Sequence, residues 1–211
     1  MSLESCLLKN KPMTDKNTSH SYLPEYDKIL SNKKDSAVNI LEIGTVLFGG
    51  GSPIMFHEYF KNSKIWSLDI QGGCGIWEKY PRIEHITANA YSMDIFLKLS
   101  NIKFDFILDD GSHKLEDQIF VAKNYFKLLN KEGILIIEDI QHIDHAQQIV
   151  DTILSEYPSV TYSIKDLRKN KNRQDDIFIV FYNNEDLDYG VEGGMSFTPD
   201  LDFGSGSPKE D

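Results

Sequence analysis

From Val38 onward, short apolar runs alternate with stretches whose apolar positions recur every three to four residues. VNILEIG (38–44), KIWSLDI (64–70), RIEHITA (82–88), FDFILDD (104–110) and GILIIED (133–139) have the length and apolar character of strands in a parallel sheet covered by helices on both faces. Leu115, Ile119, Ala122, Phe126 and Leu129 are spaced 4, 3, 4, 3, which is one face of a helix packed on such a sheet. Ser52 before Pro53 predicts a helix start, with Ser52 as N-cap and proline at the first helical position. A further helix over about Asp144 to Glu156 buries Ile149, Val150 and Ile153 and stops before Pro158. The rhythm then breaks. VTYSIKDL (160–167) and DDIFIVFYN (175–183) are joined by the polar RKNKNRQ, too short for a crossover helix, so they predict an antiparallel hairpin at one sheet edge.

The predicted fold class is therefore α/β: a Rossmann-like, seven-stranded, mostly parallel sheet with an antiparallel C-terminal hairpin and helices on both faces. Residues 1–35 form an N-terminal lead, 36–183 the sheet domain, and 184–211 an acidic tail without periodicity, expected to be disordered. At 211 residues the chain can bury one substantial core. The tail holds eight acids against Lys209 alone, so most of the formal charge of −11 resides there. The rest is mildly acidic, which disfavours a duplex nucleic acid as partner. Cys6 and Cys74 have no zinc or redox spacing, and no stretch approaches 18 apolar residues, so a reducing, cytoplasmic setting without a membrane span is expected.

In an open parallel sheet ligands bind beyond the carboxyl ends of the strands. The first run ends LEIGTVLFGGGSP, where Gly50 and Gly51 allow close backbone approach to a ligand and the helix start at Ser52 offers free N–H groups. By itself such a loop is equally a flexible turn. The second run ends at Asp69, where a carboxylate can accept both hydroxyls of a ribose. A phosphate-binding GxGxxG or GxxxxGK[ST] is missing, so S-adenosylmethionine fits better than NAD or ATP. Asn89, after the third run, stands either at an adenine contact or in an Asx turn.

Asp109 and Asp110 close the fourth run and Glu138 and Asp139 the fifth, and these strands are neighbours about 4.8 Å apart in this topology. Four carboxylates at one rim repel one another and call for a hard cation such as Mg2+. Asp110, Glu138 and Asp139 are the expected ligands, with Asp109 supporting the loop or the cofactor. Alternatively one pair faces a helix N-terminus and the other solvent. His113, three residues after Asp110, is a proton acceptor suited to neutral pH, or else a cap residue; beside the rim it is expected to be catalytic together with Asp110. In TDKNTSHSYLPEY (14–26), Tyr22 or Tyr26 either lines the site or packs on the sheet. Lys165, Arg168, Lys169, Lys171 and Arg173 make the hairpin loop basic, either to meet an acidic substrate or as a solvated tip.

Across about Thr14 to Val180, TDKNTSHSYLPEY, LEIG with GGGSP, SLDI, FDFILDDGSH, ILIIEDIQ and RQDDIFIV together resemble the metal-dependent class I methyltransferases typified by the macrolide-sugar O-methyltransferases. The resemblance implies Asp110, Glu138 and Asp139 as Mg2+ ligands, His113 as general base, and Glu42, Gly44, Ser52 and Asp69 around S-adenosylmethionine. It departs at Asn89, where such enzymes usually carry an acid. The implied activity is O-methylation of a small hydroxylated acceptor, a sugar at family level, by a chain that could form a homo-oligomer. The competing readings are a catalytically silent cofactor-binding module with a partner-recruiting tail, and a nicotinamide-dependent oxidoreductase.

Overall fold

The structure is a computed structural model that describes residues 1–10, 13–16 and 18–185, the side chains of 8–10 excepted. Nearly all of the predicted acidic tail therefore lies outside the described residues. In chain order the elements are α1 (Leu3–Asn10), α2 (Leu23–Leu30), β1 (Asn39–Ile43), α3 (Gly51–Tyr59), β2 (Lys64–Asp69), β3 (Ile83–Thr87) and α4 (Met93–Leu99). β4 (Phe104–Asp109), α5 (Leu115–Tyr125), β5 (Leu129–Ile137), α6 (Ile143–Glu156), β6 (Thr161–Asp166), α7 (Arg168–Lys171) and β7 (Ile177–Tyr182) follow. The seven strands form one sheet in the order β3-β2-β1-β4-β5-β7-β6. β1 to β5 pair in parallel, while β7 runs antiparallel to both β5 and β6. The predicted architecture and its edge hairpin are thus present. Among the described residues no helix is long and apolar enough to cross a membrane.

Three local expectations are corrected. The helix after the glycine loop is capped by Gly50 in the left-handed region, not by Ser52, and Pro53 falls in its first turn, where an absent N–H still costs no intrahelical bond. β5 begins at Leu129 rather than Gly133, because a 3-10 turn at Phe126–Leu128 feeds straight into it. Its polar Lys131 and Glu132 are exposed at the strand's outer end, so burial could not mark them in the sequence. The hairpin loop contains the short helix α7 and is held down: Arg168 pairs with Asp166, Arg173 with Asp175, and Lys165 lies 3.6 Å from Glu25. Lys171 Nζ donates to the carbonyls of Thr18 and His20, tying the hairpin to the N-terminal segment.

Successive strand residues point to opposite faces of the sheet, and the two cores follow that alternation. Leu41, Ile107, Leu135 and Ile179 face the layer that contains α5 and α6. Ile40, Phe106, Leu108, Ile136, Phe178 and Val180 face α2, α3 and the N-terminal segment, where Tyr22, Tyr26, Met55 and Phe56 cover them. By the same parity Glu42, Asp110, Glu138 and Asp176 fall on the second face and Asp109 on the first. Hydrophobic burial therefore decides which strand-end acids can meet.

Candidate active site

A cavity of about 240 Å³ opens beyond the carboxyl ends of β1, β2 and β4. Ile43, Gly44, Thr45 and Ser52 line it from β1 and its loop, Asp69 from β2, Ala88, Ala90 and Tyr91 after β3, and Asp110 to His113 after β4. Met13, Thr14 and Asp15 close it from the N-terminal side. Gly44 has φ +78°, and a Cβ there would lie 2.0 Å from the Asp110 carbonyl oxygen, so only glycine lets the first and fourth loops touch. Gly50 and Gly51 serve packing, beneath the Trp77 ring and against the Met13 backbone respectively. Asp69 Oδ2 accepts the N–H groups of Thr45 and Val46 at 2.7 and 2.9 Å, and Oδ1 accepts that of Gln71 at 2.9 Å. A carboxylate offers about four acceptor positions, so capacity remains on the cavity side.

Asn89 makes an Asx turn, its Oδ1 accepting the Tyr91 N–H at 3.0 Å, and does not line the cavity. Asp109, on the opposite face from Asp110, accepts from the Tyr91 hydroxyl at 3.2 Å, and burial pushes its carboxyl up to about 7. Tyr91 also accepts the Ser112 N–H at 2.8 Å and so fixes the DGSH loop. Glu42 is fully buried and does not line the cavity, with Lys16 Nζ at 3.9 Å and the Ser52 side chain as its polar neighbours. Burial, partly offset by Lys16, raises it to about 8.

The acidic rim is built by four side chains of the segment before β1. Lys16, 1% exposed, places Nζ 2.5 Å from Asp110 Oδ2, 2.6 Å from Glu138 Oε2 and 3.9 Å from Glu42 Oε1. Burial opposes its charge, but the three carboxylates outweigh it and hold the ammonium protonated well beyond the usual range. The Tyr26 hydroxyl donates to Glu138 Oε1, and that of Tyr22 to Asp139 Oδ1 at 2.5 Å. His20 Nδ1 lies 3.2 Å from Asp176 Oδ1 and 3.4 Å from Asp139 Oδ1. Both tyrosines are buried and pack edge-on against Phe178, so they serve the rim and the sheet at once.

Asp139 and His113 have φ of +53° and +58°, a region that residues with a Cβ seldom occupy and that functional sites tolerate. At Asp139 this conformation breaks the strand alternation and brings its side chain to the same rim as Glu138. His113 Nε2 lies 3.6 Å from Asp139 Oδ2, and ligand atoms of Asp110, His113 and Asp139 all fall within 4.8 Å of one another. Burial lowers the His113 pKa against the pull of Asp110, leaving the imidazole neutral at pH 7. The fold thus brings Asp110, His113 and Asp139 together and turns Glu138 toward Lys16 and Tyr26. The carboxylates suit a hard divalent ion that completes its shell with water or substrate oxygens, and the neutral imidazole beside them is placed to accept a proton. Lys16 was not anticipated from the sequence; the signal was the charge of the rim itself, which an ammonium can balance as well as a metal can.

No family model matches the chain. It is 27% identical over 135 residues to the 8-demethyl-8-alpha-L-rhamnosyl tetracenomycin-C 2'-O-methyltransferase of Streptomyces olivaceus, a match covering 61% of this chain and 35% of that protein. It is 28% identical over 128 residues to the demethylmacrocin O-methyltransferase of Streptomyces fradiae, covering 57% and 32%. The chain therefore matches only about a third of the length of these curated relatives. Among solved structures, MycE methyltransferase from the mycinamycin biosynthetic pathway, in complex with Mg, SAH and mycinamycin VI, superposes with a TM-score of 0.67 at 20% identity, over 92% of this chain and 57% of that one. The fibrillarin pre-rRNA processing protein of Methanococcus jannaschii superposes with a TM-score of 0.55 at 14% identity, over 71% and 66%. The fold is that of the class I methyltransferases, and in sequence the chain resembles their macrolide-sugar O-methyltransferase branch.

Proposed function

We propose that the chain is the catalytic domain of a divalent-cation-dependent O-methyltransferase that uses S-adenosylmethionine and acts on a hydroxyl of a sugar or similarly polyhydroxylated small molecule. The observation that carries this reading is the convergence of Asp110, His113 and Asp139 within 4.8 Å, with Asp110 and His113 lining the cavity that Gly44, Ser52 and Asp69 also line. Asp69 would accept the ribose hydroxyls, and the tight Gly44 turn leaves room for the methionine portion. S-adenosylmethionine, when bound, supplies an electrophilic sulfonium methyl group. Asp110 and Asp139 would hold the cation, which would lower the pKa of an adjacent acceptor hydroxyl and fix its orientation. His113 Nε2 takes the proton of that hydroxyl as the oxygen attacks the methyl carbon, and the carbon–sulfur bond breaks so that S-adenosylhomocysteine leaves. Closure by Met13, Thr14 and Asp15 keeps the two reactants at short range.

Two measurements test the reading together. S-adenosylhomocysteine should bind in calorimetry at micromolar strength and NAD should not; the reverse would favour an oxidoreductase. With a rhamnosylated polyketide as acceptor, EDTA and Asp110→Asn should each lower turnover by about a thousandfold or more, roughly 4 kcal/mol in the barrier. Turnover that survives both would rule out a cation held at this rim.

A further inference from the structure

We propose that His85 is a positioning residue for the cofactor end of the site: standing outside the cavity, it ties together the two loops whose backbone N–H groups fix the Asp69 carboxylate. The inference rests on the reading of this cavity as an S-adenosylmethionine site and adds a residue to it. His85 on β3 is the register partner of Ser67 on β2. Its Nδ1 lies 2.9 Å from Ser67 Oγ, which in turn lies 2.7 Å from Thr45 Oγ1 in the loop after β1. Its Nε2 lies 3.0 Å from the Gln71 carbonyl oxygen and 3.1 Å from Thr87 Oγ1. Thr45 and Gln71 each donate a backbone N–H to Asp69, one to each carboxylate oxygen. Thr45, Asp69 and Gln71 line the cavity, whereas Ser67 and His85 do not.

Chemistry fixes the direction of this chain of hydrogen bonds. A carbonyl oxygen only accepts, so the hydrogen of the neutral imidazole is on Nε2 and is donated to Gln71. Nδ1 is then the acceptor, Ser67 donates to it, and the Ser67 oxygen accepts from the Thr45 hydroxyl. Burial lowers the His85 pKa against the Gln71 carbonyl and the Asp69 charge, which keeps this neutral form at pH 7. The ring has little room to turn: Trp77 packs against it at 5.2 Å between centroids, and a Cβ on Gly73 would come 3.0 Å from its Cδ2. One imidazole thus joins the loop after β1 to the loop after β2, and Asp69 is held between them with both oxygens oriented. A carboxylate fixed in this way has little freedom left to lose when a ribose arrives, and that saving is what His85 contributes to affinity.

A double-mutant cycle on the full chain, read by calorimetry with S-adenosylhomocysteine, tests the assignment. His85→Phe keeps a ring and removes both nitrogens, and should weaken binding about tenfold. His85→Gln, whose amide can still donate to the Gln71 carbonyl, should recover affinity to within about threefold of the wild type. In an Asp69→Asn background, His85→Phe should cost less than about a further twofold, because the group it positions is already gone. A histidine that merely supports the sheet would weaken binding by the same factor in both backgrounds. That result overturns the proposal, as does wild-type affinity in His85→Phe. Should His85→Phe fail to fold, Ser67→Ala, which cuts only the link to Thr45, goes through the same cycle. It should weaken binding about threefold with Asp69 present and leave the Asp69→Asn chain unchanged; equal factors there overturn the proposal too. A wild-type chain that binds no S-adenosylhomocysteine brings down the cofactor reading and this inference with it, whereas additive factors refute the inference alone.

Discussion

The two halves of the sheet's carboxyl edge hold their acids in opposite ways. Over β1 and β2, Asp69 is fixed by three backbone N–H groups, two of them from the loop just after β1. Over β4, β5 and β7, Asp110, Glu138, Asp139 and Asp176 are held by Lys16, His20, Tyr22 and Tyr26, all from the segment before the sheet. Backbone amides come with the fold, whereas side-chain partners arrive only when a distant segment docks. The first half is therefore a rigid cradle assembled by local turns. The second is a charge cluster whose geometry depends on what covers it.

The strongest way to break this contrast is to remove the group that belongs to the rim's chemistry and not to its scaffolding. His113 makes no hydrogen bond that supports the fold among those described and is partly exposed. His113→Gln should lower kcat by about a hundredfold to ten-thousandfold, the usual worth of a positioned general base. Affinities for S-adenosylhomocysteine and for Mn2+ should stay within about threefold of the wild type, about half of the 1.4 kcal/mol that a tenfold change represents. Loss of Mn2+ affinity in step with kcat would instead make His113 a metal ligand.

On the cradle side the expected effect is smaller and falls on binding. Asp69→Asn keeps the shape but sets an amide donor against at least one of the three N–H groups and removes an acceptor for ribose. Hydrogen bonds to a charged group contribute about 1.5–3 kcal/mol, so S-adenosylhomocysteine affinity should fall roughly tenfold to a hundredfold. With saturating cofactor, kcat should recover most of its wild-type value. A variant that binds normally but turns over slowly would reverse the assignment of the two halves.

The same contrast explains what could be read from the sequence. Strand runs, helix faces and the edge hairpin are local patterns, and they are present with boundaries shifted by a few residues. Asp69 was legible because a strand-end acid one strand over is itself a local signal. The pair Asp109 and Asp110 looked like one unit, but the pleat sends them to opposite faces, Asp109 to Tyr91 and Asp110 to Lys16. Alternation was visible in FDFILDD and would have separated them. Asp139 defied the same rule because its left-handed backbone turns it to the rim, which no spacing announces. Lys16 was illegible for a different reason. Its role is set by tertiary docking across more than 90 residues, and a lone lysine in a polar segment looks like solvated surface.

Glu42 lies at the border of the two halves and is tested through stability alone. It is fully buried, with Lys16 and Ser52 as its polar neighbours, and burial raises it from 4.5 to about 8. The folded chain thus binds this proton more tightly than the unfolded chain does. Its contribution to stability is complete below about pH 4.5 and is lost progressively as pH rises through 8. Glu42→Gln, neutral at every pH, should therefore match the wild type in thermal unfolding near pH 5 and exceed it at pH 9. The advantage should be on the order of 5 kcal/mol, the linkage value for a carboxyl raised from 4.5 to about 8 with the Lys16 charge already included. For a chain of this size that is a Tm rise of roughly 10–20 °C. The measurement uses protein freed of cofactor and of divalent ions, so that neither ligand masks the difference. A gap that is constant with pH would mean that Glu42 is matched to Lys16 as firmly as the rim acids are, and would move it out of the cradle and into the charge cluster.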